Sequence, residues 1–286
     1  MKKILMNKLL LLPMFLFLAA FASASTAFAE NMQEIRDTKQ ALMAGKLVVK
    51  GEATADQTLP VGQRKLMAMR GAKVIALREI AEVIDGVVVS GESTVANMSA
   101  QSDIVRSSVQ GLVKGAQIVK EDYDQLSGIA TVWVAVSMRG VDGLLPSLLP
   151  QAIQALPTAP SYQPTPEQAR VAVVNYDGLI LDVREQAFRP ALINRVLSQS
   201  GDVVYDPAKV AQNILVERGA AEYTNDVGKA KALLSERGST NPVVIKASGL
   251  VKSTDVQIGK DDATAIYASN QAKNFLEGAK VVFVLK

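Results

Sequence analysis

The stretch 66–97, LMAMRGAKVIALREIAEVIDGVVVSGESTVAN, constrains the fold more than any other, because its hydrophobic period changes partway along. Met69, Ala72, Ala76, Ile80 and Val83 recur at helical spacing, whereas β-branched residues in two-residue alternation follow Gly86. A helix therefore hands over to a strand, and its apolar stripe must cover a sheet. Burying the large side chains of that stripe contributes ~1.5–3 kcal/mol each. Gly71, inside the helix, costs about 1 kcal/mol against alanine; it marks either close approach of a neighbouring backbone or a tolerated imperfection. Arg70, Lys73, Arg78, Glu79 and Glu82 form the opposite, solvated face.

The flanking segments supply the sheet. Residues 30–45 read as a leading helix ending at Gly45, and 47–55 as a strand broken by the segment 57–62, which contains Pro60. Residues 87–95 form the strand leaving the long helix, with a turn at 96–101. Ser102 or Asp103 caps a second helix running to about Gly115. Two strands, 117–123 and 129–138, close the unit. The fold class expected is mixed α+β, a β-α-β-α-β-β sheet with two helices on one face, followed by a second mixed α/β domain.

Segment 141–156 is apolar for a connection. Leu144, Leu145, Leu148, Leu149 and Ile153 would make a helical stripe, yet Pro146 and Pro150 interrupt a regular helix. Either the segment folds back onto a domain, or those five residues are a partner interface. Pro157, Pro160, Pro164 and Pro166 then predict a stiff linker. The domains expected are thus 30–140 and 170–286, joined by 141–169. In the second, strands are predicted at 170–175, 179–183, 242–247, 255–258 and 280–285, with a hairpin about 198–201. Helices are predicted at 207–218, 226–237 and 261–277, the last capped by Asp261 with Ala265, Ser269, Ala272 and Leu276 inward.

Residues 1–29 read as a signal peptide: Lys2, Lys3 and Lys8, then an apolar run to Phe21, then Ala27-Phe28-Ala29 before a cut ahead of Glu30. Those three lysines account for the whole formal charge of +3, so the remainder is balanced and lacks the basic excess of a nucleic-acid partner. No apolar run after Phe21 is long enough to cross a membrane. There is no cysteine, hence no disulfide and no lipid attachment after the leader; there is no histidine, which removes Ser-His-Asp catalysis and the usual zinc ligands. No cofactor, metal site or catalytic residue is expected, and carboxylate-only chemistry remains open.

Three motifs invite chemistry. Residues 249–254, GLVKST, resemble a phosphate loop but carry Val251 where glycine must precede the lysine. Glu121, Asp122 and Asp124 lack calcium-loop spacing. Tyr176, Asp177, Asp182 and Arg184 are the densest polar group near strand ends, a candidate ligand cleft weighed against ordinary turn residues.

Leu77 and Ala81, Gly86 to Val89, Ser93-Thr94-Val95, Ser102-Asp103-Ile104, Gly111, Gly115 to Val119 and Thr131 to Val136 together resemble a family of bacterial envelope proteins. It is the family that includes the flagellar lipoprotein FlgP, and the stretch is also similar to the N-terminal domain of the flagellar ring protein FlgT. The resemblance covers residues 45–140. It implies an oligomeric, non-enzymatic periplasmic component with envelope or flagellar basal-body partners, and it brings no catalytic residues. The function expected is a structural or assembly role. The alternative is a periplasmic module that binds a cell-wall fragment or small ligand through its C-terminal domain.

Overall fold

The computed structural model describes residues 33–171 and 175–286. The signal peptide and its cleavage site lie outside the described residues.

Helix α1 (Thr38–Ala44) starts where the Asp37 carboxylate accepts the Gln40 N–H and stops at Gly45, whose φ of +70° few other residues adopt. Strand β1 (Lys46–Ala53) follows, then α2 (Val61–Asp85). The buried stripe of α2 is Ala68, Ala72, Ala76, Ile80 and Ile84, shifted from the expected one: Met69 and Val83 are only partly buried. Gly51 explains the shift. A β-carbon there would stand 2.2 Å from the Ala72 carbonyl oxygen and 2.3 Å from the Ala76 nitrogen, so the helix presents its smallest residues to the strand and lies directly on it.

The next segment departs from a single strand over 87–95. Strands β2 (Val88–Ser90) and β3 (Ser93–Thr94) form a small antiparallel pair around Gly91, at φ +58°. The Thr94 hydroxyl then accepts the Asn97 N–H and caps α3 (Val95–Gln101), where a turn was expected. Ser102 caps α4 (Asp103–Lys114), as its sequence position predicts. Strands β4 (Gln117–Asp124) and β5 (Ile129–Ser137) complete an antiparallel sheet of order β1-β5-β4, with α2 packed on it and α4 beside α2.

Helix α5 (Leu144–Gln154) forms despite its prolines. Pro146 falls in the first turn, where no backbone donor is needed, and Pro150 is carried inside the helix because burial of Leu144, Leu145, Leu148, Leu149 and Ala152 outweighs one missing hydrogen bond. The prolines that follow do not make a free spacer. Arg195 donates to the Pro157 carbonyl at 2.8 Å, and Val203 exchanges hydrogen bonds with Pro160 and Tyr162 at 2.8 Å each. Helix α6 (Pro166–Val171) occupies the start of the strand expected at 170–175, and residues 172–174 lie outside the described residues.

The C-terminal half holds two four-stranded sheets. Strands β6 (Gly178–Asp182), β7 (Val196–Ser198) and β8 (Val203–Tyr205) precede a 3-10 turn at Pro207–Lys209 and helix α7 (Gln212–Arg218). Strand β9 (Glu222–Thr224), α8 (Val227–Glu236), β10 (Pro242–Lys246), β11 (Gly249–Val251), β12 (Asp255–Ile258), α9 (Lys260–Lys273) and β13 (Val281–Val284) follow. One sheet, β10-β6-β13-β9, is wholly parallel; the other runs β11-β12-β7-β8. Leu179, Ile180 and Leu181 on β6 and all of β13 are buried on both faces, as central parallel strands require. Helix α9 begins at Gly259 rather than under an Asp261 cap and ends at Asn274, φ +48°. Its inward residues are Ala263, Ile266, Ser269 and Asn270, while Ala272 is exposed and Leu276 is buried in the turn beyond.

Residues Ile35–Lys286 form one compact unit whose main core runs through both halves, with a smaller cluster of Ile180, Ala230, Leu234, Val282 and Val284 under α8. The two halves are tied by main-chain bonds of 2.9 Å from Leu192 and Ile193 to the carbonyls of Val88 and Val89. They are tied again by Glu222, which accepts Arg139 at 2.6 Å and also Arg237.

Candidate functional site

Two regions stand out, one on each half. On the N-terminal sheet, alternate residues of β5 point to opposite faces: Ala130, Val132, Val134 and Val136 are buried on the α2 side, and Ile129, Thr131 and Trp133 lie on the other. Strand register sets Lys50, Trp133 and Lys120 in one row across the sheet and Glu52, Thr131 and Asp122 in the next. Trp133, the single tryptophan, is half-buried and lies outside the hydrophobic core. Lys50 reaches Glu52 across the rows, Nζ to Oε1 2.7 Å. The outer face thus carries an aromatic centre and adjoining rows of opposite charge.

In the C-terminal half, a cavity of about 310 Å³ opens between the connecting segment 161–163, strand β8 and the end of α9. Tyr162, Tyr205 and Tyr267 contribute its aromatic wall. The Tyr162 hydroxyl shares a 2.7 Å hydrogen bond with Thr264, and its ring meets Tyr267 edge-on, centroids 6.2 Å apart. Tyr205 is spent structurally: its hydroxyl donates to the Ala220 carbonyl, and burial pushes the phenol far above its ordinary range. Asn270, 8 % exposed, accepts the Leu276 N–H at 2.9 Å and donates to both carboxylate oxygens of Glu277 at 3.0 and 3.1 Å. That pair holds the Glu277 carboxylate in the cavity wall. Lys209, also in the lining, donates to the Ser161 hydroxyl at 2.7 Å.

The residues singled out in the sequence lie elsewhere. Leu144, Leu145, Leu148 and Leu149 are at most 2 % exposed, and Ile153 packs against the same core. They are interior residues of the chain's own fold, which corrects the reading of this segment as a partner interface. The polar group does not form one cleft either. Asp177 precedes β6 and Asp182 ends it, which at ~3.3 Å per residue separates them by about 16 Å. Asp177 is a loop clasp. It accepts hydrogen bonds from the hydroxyls of Ser239 and Thr240 (2.6 and 2.8 Å) and the N–H groups of Thr240 and Asn241 (2.8 and 2.7 Å). Burial opposes its charge, but those four donors outweigh burial and hold the carboxyl well below the usual range. Tyr176 meets Ser269 only through its backbone N–H, at 3.3 Å. At the far end, Arg184 pairs with Asp182 in a two-pronged surface contact of 2.6 and 2.9 Å.

The GLVKST stretch is a hairpin: β11 turns through Lys252 and Ser253, at φ +49° and +60°, into β12. A phosphate loop would run into a helix. Asp124 accepts from the Leu126 N–H and the Ser127 hydroxyl, closing the β4–β5 turn. Among the described residues there is no cluster of three or more histidine, cysteine, aspartate or glutamate side chains placed to hold a metal, and no helix long and apolar enough to cross a membrane. The cavity residues had a partial signal: Tyr267, Asn270 and Gln271 are one helical turn apart, but Glu277 falls beyond the helix and Tyr162 a hundred residues earlier.

A search of curated proteins finds no match to this chain. A family model described as Treponema pallidum Tp0624, second domain, matches residues 178–286. That span starts on the first residue of β6 and contains both C-terminal sheets, so this part of the chain, which supplies the cavity's lining apart from Ser161, Tyr162 and Gln163, is similar to the second domain of Tp0624.

Proposed function

We propose that this protein is an exported, periplasmic envelope component that acts by self-assembly rather than by catalysis. The observation that carries this reading is the outer face of the β1-β5-β4 sheet. A second copy facing it about a twofold axis sets each lysine row against the other copy's acidic row, with Trp133 at the centre. Aromatic residues near the middle of a patch are typical anchors of such contacts. The leader-like segment 1–29 supports export. The resemblance over 45–140 supports an envelope setting with flagellar basal-body neighbours, and the lack of histidine and cysteine speaks against the commonest catalytic groups.

Sedimentation of the purified protein, together with Trp133 emission, tests the reading. Self-association with a concentration-dependent blue shift is expected, and Thr131→Lys, which sets a cation between Glu52 and Asp122 in the acidic row, should give monomers with red-shifted emission. A parent protein that stays monomeric at all concentrations, with emission unchanged throughout, would overturn it. Cross-linking of the tagged protein in cells identifies whether basal-body, outer-membrane or cell-wall partners accompany the assembly.

A further inference from the structure

We propose that the cavity between Tyr162, Tyr267 and Glu277 binds an uncharged, hydroxyl-rich ligand of the sugar class, with Glu277 as its principal acceptor. Three features of the cavity carry this. First, the Glu277 carboxylate is fixed from behind: the single Asn270 amide donates to both its oxygens, at 3.0 and 3.1 Å, and Asn270 is itself locked by the Leu276 N–H. An ionised carboxylate has about four acceptor positions, so each oxygen retains capacity toward the cavity. Two parallel acceptors a carboxylate's width apart match two neighbouring hydroxyls of one ring.

Second, three further polar groups are neutral and uncommitted. The Tyr267 hydroxyl and the side-chain amides of Gln163 and Gln271 line the cavity and have no partner among the described residues. They can donate or accept, as scattered hydroxyls require. Third, the half-buried Tyr267 ring, backed by Tyr162, offers an apolar surface for the C–H face of a ring, the pairing of apolar wall and a few placed polar groups that small-molecule sites use. The volume, about 310 Å³, lies at the small end of such sites and suits one or two sugar rings rather than a long chain.

Charge sets the class. Asp206 and Glu277 line the space with Lys209, which keeps its charge while donating to the neutral Ser161 hydroxyl, so the lining carboxylates outnumber the lining cation. An anionic ligand would meet repulsion there, and a purely apolar one would strip these groups of water without replacing it. The site is independent of the assembly reading, since no residue of the N-terminal sheet lines it.

Saturation-transfer NMR on the full-length protein, with maltose and N,N′-diacetylchitobiose as probes, tests the proposal. Transfer to ring protons of at least one probe is expected. Glu277→Gln should weaken that probe about tenfold or more, because hydrogen bonds to the charged acceptor are lost. Tyr267→Ala should remove the ring-proton signal, and Gln271→Ala, an exposed helical position, should fold as the parent does and weaken binding less than Glu277→Gln. Absence of transfer from both probes would overturn the proposal. So would transfer that Glu277→Gln, Tyr267→Ala and Gln271→Ala all leave unchanged while the variants remain folded.

Discussion

Replacing Gly51 by alanine should destabilise the protein, although general propensity argues the other way. Glycine inside a strand or helix ordinarily costs ~0.5–1 kcal/mol relative to alanine, so removing it from β1 would be expected to help. The structure reverses the sign. An added β-carbon meets the Ala72 carbonyl oxygen at 2.2 Å, the Ala76 nitrogen at 2.3 Å and the Ala76 α-carbon at 3.0 Å, all of them helix backbone that no rotamer change can move. Ordinary contact needs more than about 3.4 Å, so α2 must lift by roughly 1 Å from the sheet along its closest line of approach. Lifting it opens gaps beside Ala68, Ala72, Ala76 and Ile80, each wholly buried now. Overpacking of this kind costs ~1–3 kcal/mol and more when backbone must move; we expect about 3 kcal/mol. For a body of this size that lowers the Tm by ~6–12 °C. Gly111→Ala is the matched contrast, because α4 leaves open space around that position, and it should stabilise by ~0.5–1 kcal/mol. Thermal and urea unfolding followed by circular dichroism reads both. If Gly51→Ala were as stable as the parent, the account of how α2 sits on the sheet would be wrong.

Two further outcomes follow from single residues. Asp177→Asn removes a charged acceptor of four hydrogen bonds, and urea unfolding at neutral pH should show a loss of ~1.5–3 kcal/mol. Because the folded carboxyl titrates below its unfolded value, that stabilisation is present above about pH 4 and is lost as pH falls through the acid range toward the folded pKa, so the parent and Asp177→Asn should converge in acid. Leu148→Ala, at a position with no exposure, should cost ~2–5 kcal/mol while leaving the sedimentation behaviour of the folded protein unchanged, since the side chain belongs to the core and not to an interface.

What the sequence disclosed was local, and what it concealed was long-range. Gly45, Ser102 and the turn 198–201 can be read in order because caps and turns are satisfied within a few residues: the Ser102 hydroxyl accepts the Val105 N–H at 3.4 Å, and β7 and β8 pair across their turn as expected. Thr94 was hidden by its β-branched neighbours, which favour a strand until its hydroxyl caps α3. Ala68 and Ile84 were passed over because a stripe read from helical spacing alone takes no account of a glycine on the opposing strand. The clasp on Asp177 comes from Ser239 to Asn241, more than sixty residues away, so the local cluster of polar residues suggested a cleft where there is a loop anchor. Leu144 to Leu149 looked interrupted because proline is costed against an isolated helix, whereas burial against both halves decides the matter here. The cavity is assembled from three stretches, none polar enough alone to attract notice.

The ion triad of Arg139, Glu222 and Arg237, and the main-chain bonds from Leu192 and Ile193 to the carbonyls of Val88 and Val89, join the halves independently of the polypeptide that runs between them. Connectivity and cohesion are therefore separate properties of this chain. A protease that cut the exposed prolyl segment near Gln163 would sever the backbone but not the body, and the two fragments would migrate apart only under denaturing conditions. Copies could then exchange halves after unfolding, so mixing two nicked, differently tagged populations offers a direct measure of how often the molecule opens.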